Sequence, residues 1–356
     1  MYPRIVIDIK KLKHNLDFLT DLCHEQGIMC AIVTKVFCAD EHIVELINSS
    51  SADMLADSRT QNLEGMSTDK PKLLLRIGMQ SEAERIVTLS DISMQSEIAT
   101  LRLLNDAAVR LGKKHKVILM VDMGDLREGI FNTDRERILK TASFIHEAEG
   151  LILYGVGVNL TCYGGILPDE NNLGGLVLIT EWLRKELDEE IPVVSGGNSS
   201  TMGMLVSRSV PAGINHLRLG ESFVLGNDTA IGKPVKGLNT DCFVLEAEIV
   251  ELQTKPSKPI GRSGPNAFGE YLEYPDRGIM KRAILGIGRQ DVSVDGLTPL
   301  DTDIEIIGAS SDHLIINLTN CRHDYKVGDT VRFVPDYGAL LHLFTSKYVG
   351  RTYVNL

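Results

Sequence analysis

The sequence predicts an α/β fold, an N-terminal (β/α)8 TIM barrel followed by a C-terminal antiparallel β domain. Three observations predict it. From residue 30 to 226, short apolar runs alternate with segments of helical periodicity in one repeated rhythm. The runs are close to continuously hydrophobic, as strands of a parallel sheet buried on both faces must be. Past residue 240 the helical segments stop, and alternating strands separated by Pro- and Gly-rich turns take their place.

The barrel strands, in order, are CAIVTK (30–35), ADMLA (52–56), KLLLRI (72–77), DISMQ (91–95), KVILMVD (116–122), LILYGVGV (151–158), IPVVSGG (191–197) and NHLRLG (215–220). DISMQ is the least apolar of them. Between the strands, EHIVELINSS follows Asp40, an N-cap residue type. EIATLRLLNDAAVRLGK, RERILKTASFIHEAEG and GLVLITEWLRKELDEE each place apolar residues at i, i+3 and i+4. Eight such units fit a closed barrel better than an open sheet. In the second domain FVLEAEIVEL (243–252) alternates, TKPSKPIGRSGPNAFG is a Pro/Gly-rich connection, and KRAILGIG, DTDIEIIGA, HLIINLT and DTVRFVP are short strands. The boundary falls in the linker 227–240, giving a barrel over 10–230 and a β domain over 231–356. A chain of 356 residues suits this division, because single cores stop growing at about 250–300 residues.

Composition narrows the functional classes. Lys and Arg number 37 against 48 Asp and Glu, a net charge of −11, with 43% hydrophobic and 24% charged residues. That is a globular composition, without the overall basic footprint of a nucleic-acid binder. The opening MYPRIVIDIKKLKHN has no apolar h-region, and no run approaches the roughly 18 apolar residues of a membrane helix. The six cysteines (23, 30, 38, 162, 242, 321) form no CxxC pair, so free thiols are expected rather than disulfides or a metal site. A cytoplasmic protein without nucleic-acid or membrane partners is the expectation.

A barrel places chemistry at the C-terminal ends of its strands and a phosphate site after strands seven and eight. Those positions hold Lys35, then Arg127 in VDMGDLREGIF, then Asn159, Thr161 and Cys162 in GVNLTCYGG. Gly196-Gly197-Asn198-Ser199-Ser200 and Arg218-Leu219-Gly220-Glu221 follow the last two strands. Lys35 is flanked by Ala31, Ile32, Val33, Val36 and Phe37. Desolvation there would lower its pKa, and a partly neutral amine attacks aldehydes to form a Schiff base; the plainer alternative is a strand-end lysine that snorkels to water. The N–H groups of GGNSST, with Ser199 or Ser200, suit a phosphate at a helix start, although an ordinary capped turn reads the same. Arg218 would hydrogen-bond the ring nitrogen of a pyridoxal cofactor, or else pair with Glu221. Arg127, beside Asp125 and Glu128, would clamp a substrate carboxylate, or else form a surface salt bridge of little energy. GVGVNL and GIGRQD lack the third glycine of a dinucleotide fingerprint, and HExxH, GxSxG and P-loop motifs are absent.

Together, Lys35 in AIVTKVFCAD, Arg127 in VDMGDLREG, Asn198-Ser199 in GGNSS and Arg218-Leu219-Gly220 resemble the alanine racemase family of pyridoxal-phosphate enzymes, over essentially the whole chain. GIGRQD (286–291), GASSDHLI (308–315) and DYGALL (336–341) are most similar to the branch of that family that acts on ornithine. The resemblance implies an amino-acid racemase that interconverts L- and D-enantiomers, carries pyridoxal 5'-phosphate on Lys35 and uses Lys35 as one acid–base group. It implies that Arg218 faces the pyridine nitrogen. Asn198, Ser199 and Ser200, with the backbone of Gly220 and Glu221 and with Tyr337, would hold the phosphate. Arg127 would meet the substrate carboxylate and Asp312 would reach the site from the β domain. The family's head-to-tail homodimers would have Asp312 and Arg289 act in trans, and the N-terminal strand (1–9) would pack with the β domain.

The sequence departs from the family in two places. Gly288-Arg289-Gln290-Asp291 stands where a catalytic tyrosine motif is usual, and arginine is a poor base. The second base is then one of Cys162, Tyr163, Asp312 or His313. Met120 stands where many relatives carry the carbamylated lysine that orients the arginine, so a carboxylate such as Asp122 is expected to hold Arg127 instead. A basic substrate needs a carboxylate for its side-chain ammonium, with Asp125, Glu128 and Asp169 as candidates. Two rival readings are a decarboxylase of basic amino acids, which would place an acid rather than Arg218 at the pyridine nitrogen, and a pyridoxal-phosphate carrier, whose relatives lack the C-terminal β domain.

Overall fold

The computed structural model describes residues 1–356, and the chain forms two compact units, Lys11–Thr240 and Met1–Lys10 with Asp241–Leu356. The stretch 231–240 therefore joins the first unit, not the second.

In the first unit, eight parallel strands close into a barrel. They are β2 (Met29–Val33), β3 (Met54–Asp57), β4 (Lys72–Leu74), β5 (Ile92–Gln95), β6 (His115–Asp122), β7 (Leu151–Gly157), β8 (Val193–Ser195) and β9 (His216–Leu219), with β1 (Arg4–Asp8) belonging to the other unit. Each pairs with the next, and β9 closes on β2 through Arg218↔Ala31. The helices α1 (Ile9–His24), α2 (Glu41–Asn48), α3 (Thr60–Gly65), α4 (Ala83–Leu89), α5 (Ile98–Arg110), α6 (Arg135–Glu147), α7 (Glu170–Leu187), α8 (Met202–Val206) and α9 (Glu221–Leu225) punctuate them. The weakly apolar DISMQ forms β5 because a strand between β4 and β6 is buried whatever its intrinsic preference.

The interior follows the two-residue period of the strands. Ala31 and Val33, Met54 and Ala56, Ile92 and Met94, and Ile118 and Met120 all face one buried cluster with Leu73 and Val193. Outside, α7 buries Leu173, Leu176, Ile179 and Leu183 at helical spacing. Its start is fixed by a capping box, in which Asp169 accepts from Asn172 N and Asn172 Oδ1 accepts from Asp169 N. Asp40 caps α2 by accepting from Ile43 N, and Asp134 caps α6 by accepting from Arg137 N.

The second unit is an antiparallel sheet ordered β12 (Leu297–Pro299), β15 (Thr330–Pro335), β10 (Phe243–Pro256), β11 (Ile279–Leu285), β14 (Leu314–Asn317) and β13 (Glu305–Ala309). The long β10 pairs β15 with its first half and β11 with its second, across a register shift between Ile249 and Glu251. β1 adds antiparallel to β10 and parallel to β16 (Gly350–Val354). The single helix here, α10 (Tyr337–Thr345), is capped by Asp336, which accepts from Ala339 N. No helix of the chain is long and apolar enough to cross a membrane.

Candidate active site

Lys35 stands just beyond β2, which ends at Val33, two residues earlier than the sequence indicates. The chain turns there into a 3-10 segment, Lys35–Phe37, and then holds Cys38 and Ala39 both in the left-handed region, at φ of 50° and 51°. Two such non-glycine residues in succession are costly and persist only where the surroundings fix them. The preceding Thr34 supplies one anchor: its Oγ1 donates to Asp57 Oδ2 at 2.6 Å. Asp57, fully buried at the end of β3, also accepts from Arg59 N and Asn62 Nδ2. Burial pushes the Lys35 ammonium below the usual lysine range; Cys162 opposes this, Arg127 adds to it, and Asp57 and Glu128 oppose it. Lys35 is thus a lysine whose neutral form is unusually accessible, at the barrel's catalytic end.

Arg218 projects from β9 and is 3% exposed. Its Nη2 donates to the Val158 carbonyl at 2.7 Å and its Nη1 to Ser195 Oγ. No carboxylate pairs with it, so the expected alternative of an ion pair with Glu221 is overturned: the barrel wall offers a carbonyl and a hydroxyl at the guanidinium instead. Ser195 Oγ lies 2.7 Å from His216 Nδ1. Burial, reinforced by Arg218, pushes His216 down to about 3, and burial lowers Arg218 to about 10. At neutral pH the arginine is charged and the histidine is not.

The turns after β8 and β9 meet directly. Ser199 Oγ accepts from Gly220 N at 3.2 Å and Ser222 N at 3.1 Å, and lies 3.0 Å from Ser222 Oγ. The two turns are thus joined through the serine oxygen, which occupies two backbone donors, and the amide engaged beyond Gly220 is that of Ser222. Ser200 Oγ is buried with no hydrogen-bond partner, an uncommon state for a hydroxyl. Asn198 uses its side chain to join two loops. Its Oδ1 caps Ser200 N, and its Nδ2 reaches Asn159 Oδ1, Leu160 O and Cys162 Sγ, tying the turn after β8 to the loop after β7. Glu221 opens α9.

Arg127 lies in the loop after β6. Its Nε and Nη2 both donate to the carboxylate of Glu128. Asp122 does not hold it, contrary to expectation: Asp122 Oδ1 accepts from Gly124 N at 2.8 Å and Leu126 N at 3.2 Å, because the chain doubles back over the strand end. Asp125, buried to 1% exposure, accepts from four backbone N–H groups of the next loop, those of Thr161, Cys162, Tyr163 and Ile166, at 3.0–3.2 Å. Sequence reasoning missed this clamp, and no periodicity or motif could have signalled it. With Asp169 occupied in its capping box, all three candidate partners for a substrate ammonium are engaged by the protein itself. Cys162, an exposed thiol, lies within electrostatic reach of Lys35, Arg127 and Arg218.

Tyr337, Asp312 and Arg289 belong to the β domain. Tyr337 opens α10. Asp312 lies 3.1 Å from His313 Nδ1 and accepts from Ser311 Oγ. Arg289 pairs with Glu270 at 3.1 Å and stacks on Phe268. Arg289 N and Gln290 N donate to Ser310 O and Ser311 O, so the GIGRQD and GASSDHLI segments are direct neighbours.

The fold and this constellation define a class, a (β/α)8-barrel enzyme centred on a lysine with two arginines near it. Residues 7–228 match the family model for the alanine racemase N-terminal domain. The chain is 48% identical over 352 residues to an ornithine racemase from Acetoanaerobium sticklandii, and 35% identical over 356 residues to a lysine racemase from Thermotoga maritima, with 99% of each chain covered in both comparisons. Among solved structures it resembles alanine racemase from Streptomyces lavendulae, with a TM-score of 0.77 at 15% identity, covering 100% of this chain and 98% of that one. The chain belongs to the alanine racemase family.

Proposed function

We propose that this protein is a pyridoxal-phosphate-dependent racemase of ornithine, working as a homodimer. The observation that carries the reading is the group at the barrel mouth: a lysine whose proton affinity burial lowers, within electrostatic reach of Arg127, together with the carboxylate-free Arg218. The residues fit the cofactor. Ser200 Oγ is a buried hydroxyl lacking a partner, and Ser199, Gly220 and Ser222 already gather hydroxyl and N–H donors at one point. Lys35 would hold the group covalently, Ser199 and Ser200 with the Gly220–Ser222 backbone would hold its phosphate, and Arg218 would face its ring nitrogen. When bound, pyridoxal phosphate supplies an aldehyde for the amine and a conjugated ring that stabilises negative charge at Cα.

The chain's own groups then account for the rest. Lys35 Nζ takes and returns the Cα proton on its own face, a task for which a lowered proton affinity suits it. Arg218, charged at neutral pH, would donate to the ring nitrogen and so moderate the ring as an electron sink. That arrangement favours reversible proton exchange over decarboxylation, whose enzymes place an acid there. Arg127 binds the substrate α-carboxylate. Tyr337, Asp312 and Arg289 act from the β domain, with Asp312 and Arg289 supplied by the second chain, as the family resemblance implies. Ornithine is favoured by the 48% identity to the ornithine racemase across the full length of both chains.

The test is incubation in D₂O with a panel of amino acids. Deuterium should enter Cα of ornithine in preference to lysine and alanine, and the visible absorbance of lysine-bound pyridoxal should vanish in Lys35→Ala. Protein that holds no pyridoxal, or that releases CO₂ from ornithine without exchanging Cα, would sink the reading.

A further inference from the structure

Arg127 makes all its protein hydrogen bonds through one edge. Nε and Nη2 donate to Glu128, and Nη1 donates to no protein acceptor. A guanidinium has two edges that can grip a carboxylate with paired N–H groups, so the Nη1–Nη2 edge is left open. The glutamate is the more buried partner, its side chain 16% exposed against 43% for the arginine. Its backbone is also fixed. Gly129, next in sequence, sits at φ +117° against the backbone of Val121 and Asp122, and Ile130–Phe131 pairs with those same two residues. Asp122 ties down the start of the loop through Gly124 N and Leu126 N.

We propose that Glu128 is a positioning residue. Its carboxylate grips the Nε–Nη2 edge of Arg127 from beneath and presents the Nη1–Nη2 edge to the α-carboxylate of the amino-acid substrate. The inference rests on the racemase reading above. It gives the Arg127 loop, where Met120 and Asp122 leave the arginine unheld, a support of its own. Glu128 also lies within electrostatic reach of Lys35 and Arg218, so one carboxylate balances three cations. An ordinary surface ion pair would merely change stability slightly; a positioning residue would change recognition of one substrate group.

That difference sets the experiment. Holoenzyme is titrated calorimetrically with ornithine and with 1,4-diaminobutane, which is ornithine without its carboxylate. Glu128→Gln should weaken ornithine binding by roughly tenfold or more, the scale of one lost charge-assisted contact, and leave the diamine unchanged. KM for ornithine should rise more than kcat falls. Glu128→Asp, which keeps the charge one methylene short, should show a smaller loss confined to ornithine, and it carries the test if Glu128→Gln melts early. Unchanged ornithine binding in both variants, or equal losses for both ligands, overturns the proposal. Wild-type protein that binds no pyridoxal and exchanges no Cα proton overturns the racemase reading instead.

Discussion

Removing the Asp125 carboxylate should unfasten the loop after β7 before it unfolds the barrel. The side chain accepts from Thr161, Cys162, Tyr163 and Ile166 N–H groups at 3.0–3.2 Å, across 36 to 41 positions of sequence. Hydrogen bonds to a charged group contribute about 1.5–3 kcal/mol each. Water can replace part of this, because Cys162 and Tyr163 are exposed, so Asp125→Ala should cost about 3–5 kcal/mol of local stability. Asp125→Asn keeps one acceptor oxygen and turns an amide donor toward N–H groups that need an acceptor, so it should lose at least half as much. Native-state hydrogen exchange of residues 161–166 is the primary assay, because local opening limits how much of the loss reaches global unfolding. Urea melts supply the global part. If Asp125→Ala leaves those amides protected and shifts stability by less than about 1 kcal/mol, the clamp is not holding the loop.

Buried histidines should make the protein acid-sensitive. Burial holds His216 down to about 3 and His115 down to about 4, against 6.5 for an exposed ring. Between 6.5 and those values the unfolded chain binds protons that the folded chain refuses, so stability falls as pH falls, by about 1.4 kcal/mol per unit for each ring. Urea midpoints should therefore be lower at pH 5.5 than at pH 7.5, with a smaller difference in His216→Gln; identical midpoints would refute this. Two loop glycines separate strain from collision. An alanine Cβ at Gly129 would lie 2.5 Å from Asp122 N, whereas at Gly124 (φ +121°) it would meet nothing within 4 Å. Gly124→Ala should cost about 1 kcal/mol and Gly129→Ala clearly more, with a raised KM for ornithine. Equal melting temperatures for the two variants would show that the loop relaxes around the clash.

The eight strands were legible because burial on both faces writes itself into consecutive residues. Even DISMQ, the least apolar run, lies where the rhythm puts it. Lys35 and Arg218 stood out because a charge at the end of an apolar strand is conspicuous, and Arg127 because it lies in the loop that follows one. What each touches was not legible. Asp122 is the holder the sequence suggests for Arg127, and the doubling-back of the loop decided for Glu128 instead. Glu221 is the nearest acid to Arg218 in sequence, yet the strand directs the guanidinium to Val158 and Ser195, 60 and 23 positions away. That the Asn198 side chain ties the turn after β8 to the loop after β7 was likewise not legible.

By itself, then, the sequence determined the layering, a closed parallel barrel and an antiparallel domain, and the strand-end positions at which chemistry can sit. Periodicity suffices for this, since a strand's or helix's buried face recurs every few residues whatever the rest of the chain does. Only the tertiary structure decided the partners: which carboxylate holds Arg127, which oxygen occupies the amides of Gly220 and Ser222, and which loop Asp125 fastens. Those choices depend on where loops from separate strands converge, and a hydrogen bond is won or lost over a few tenths of an ångström.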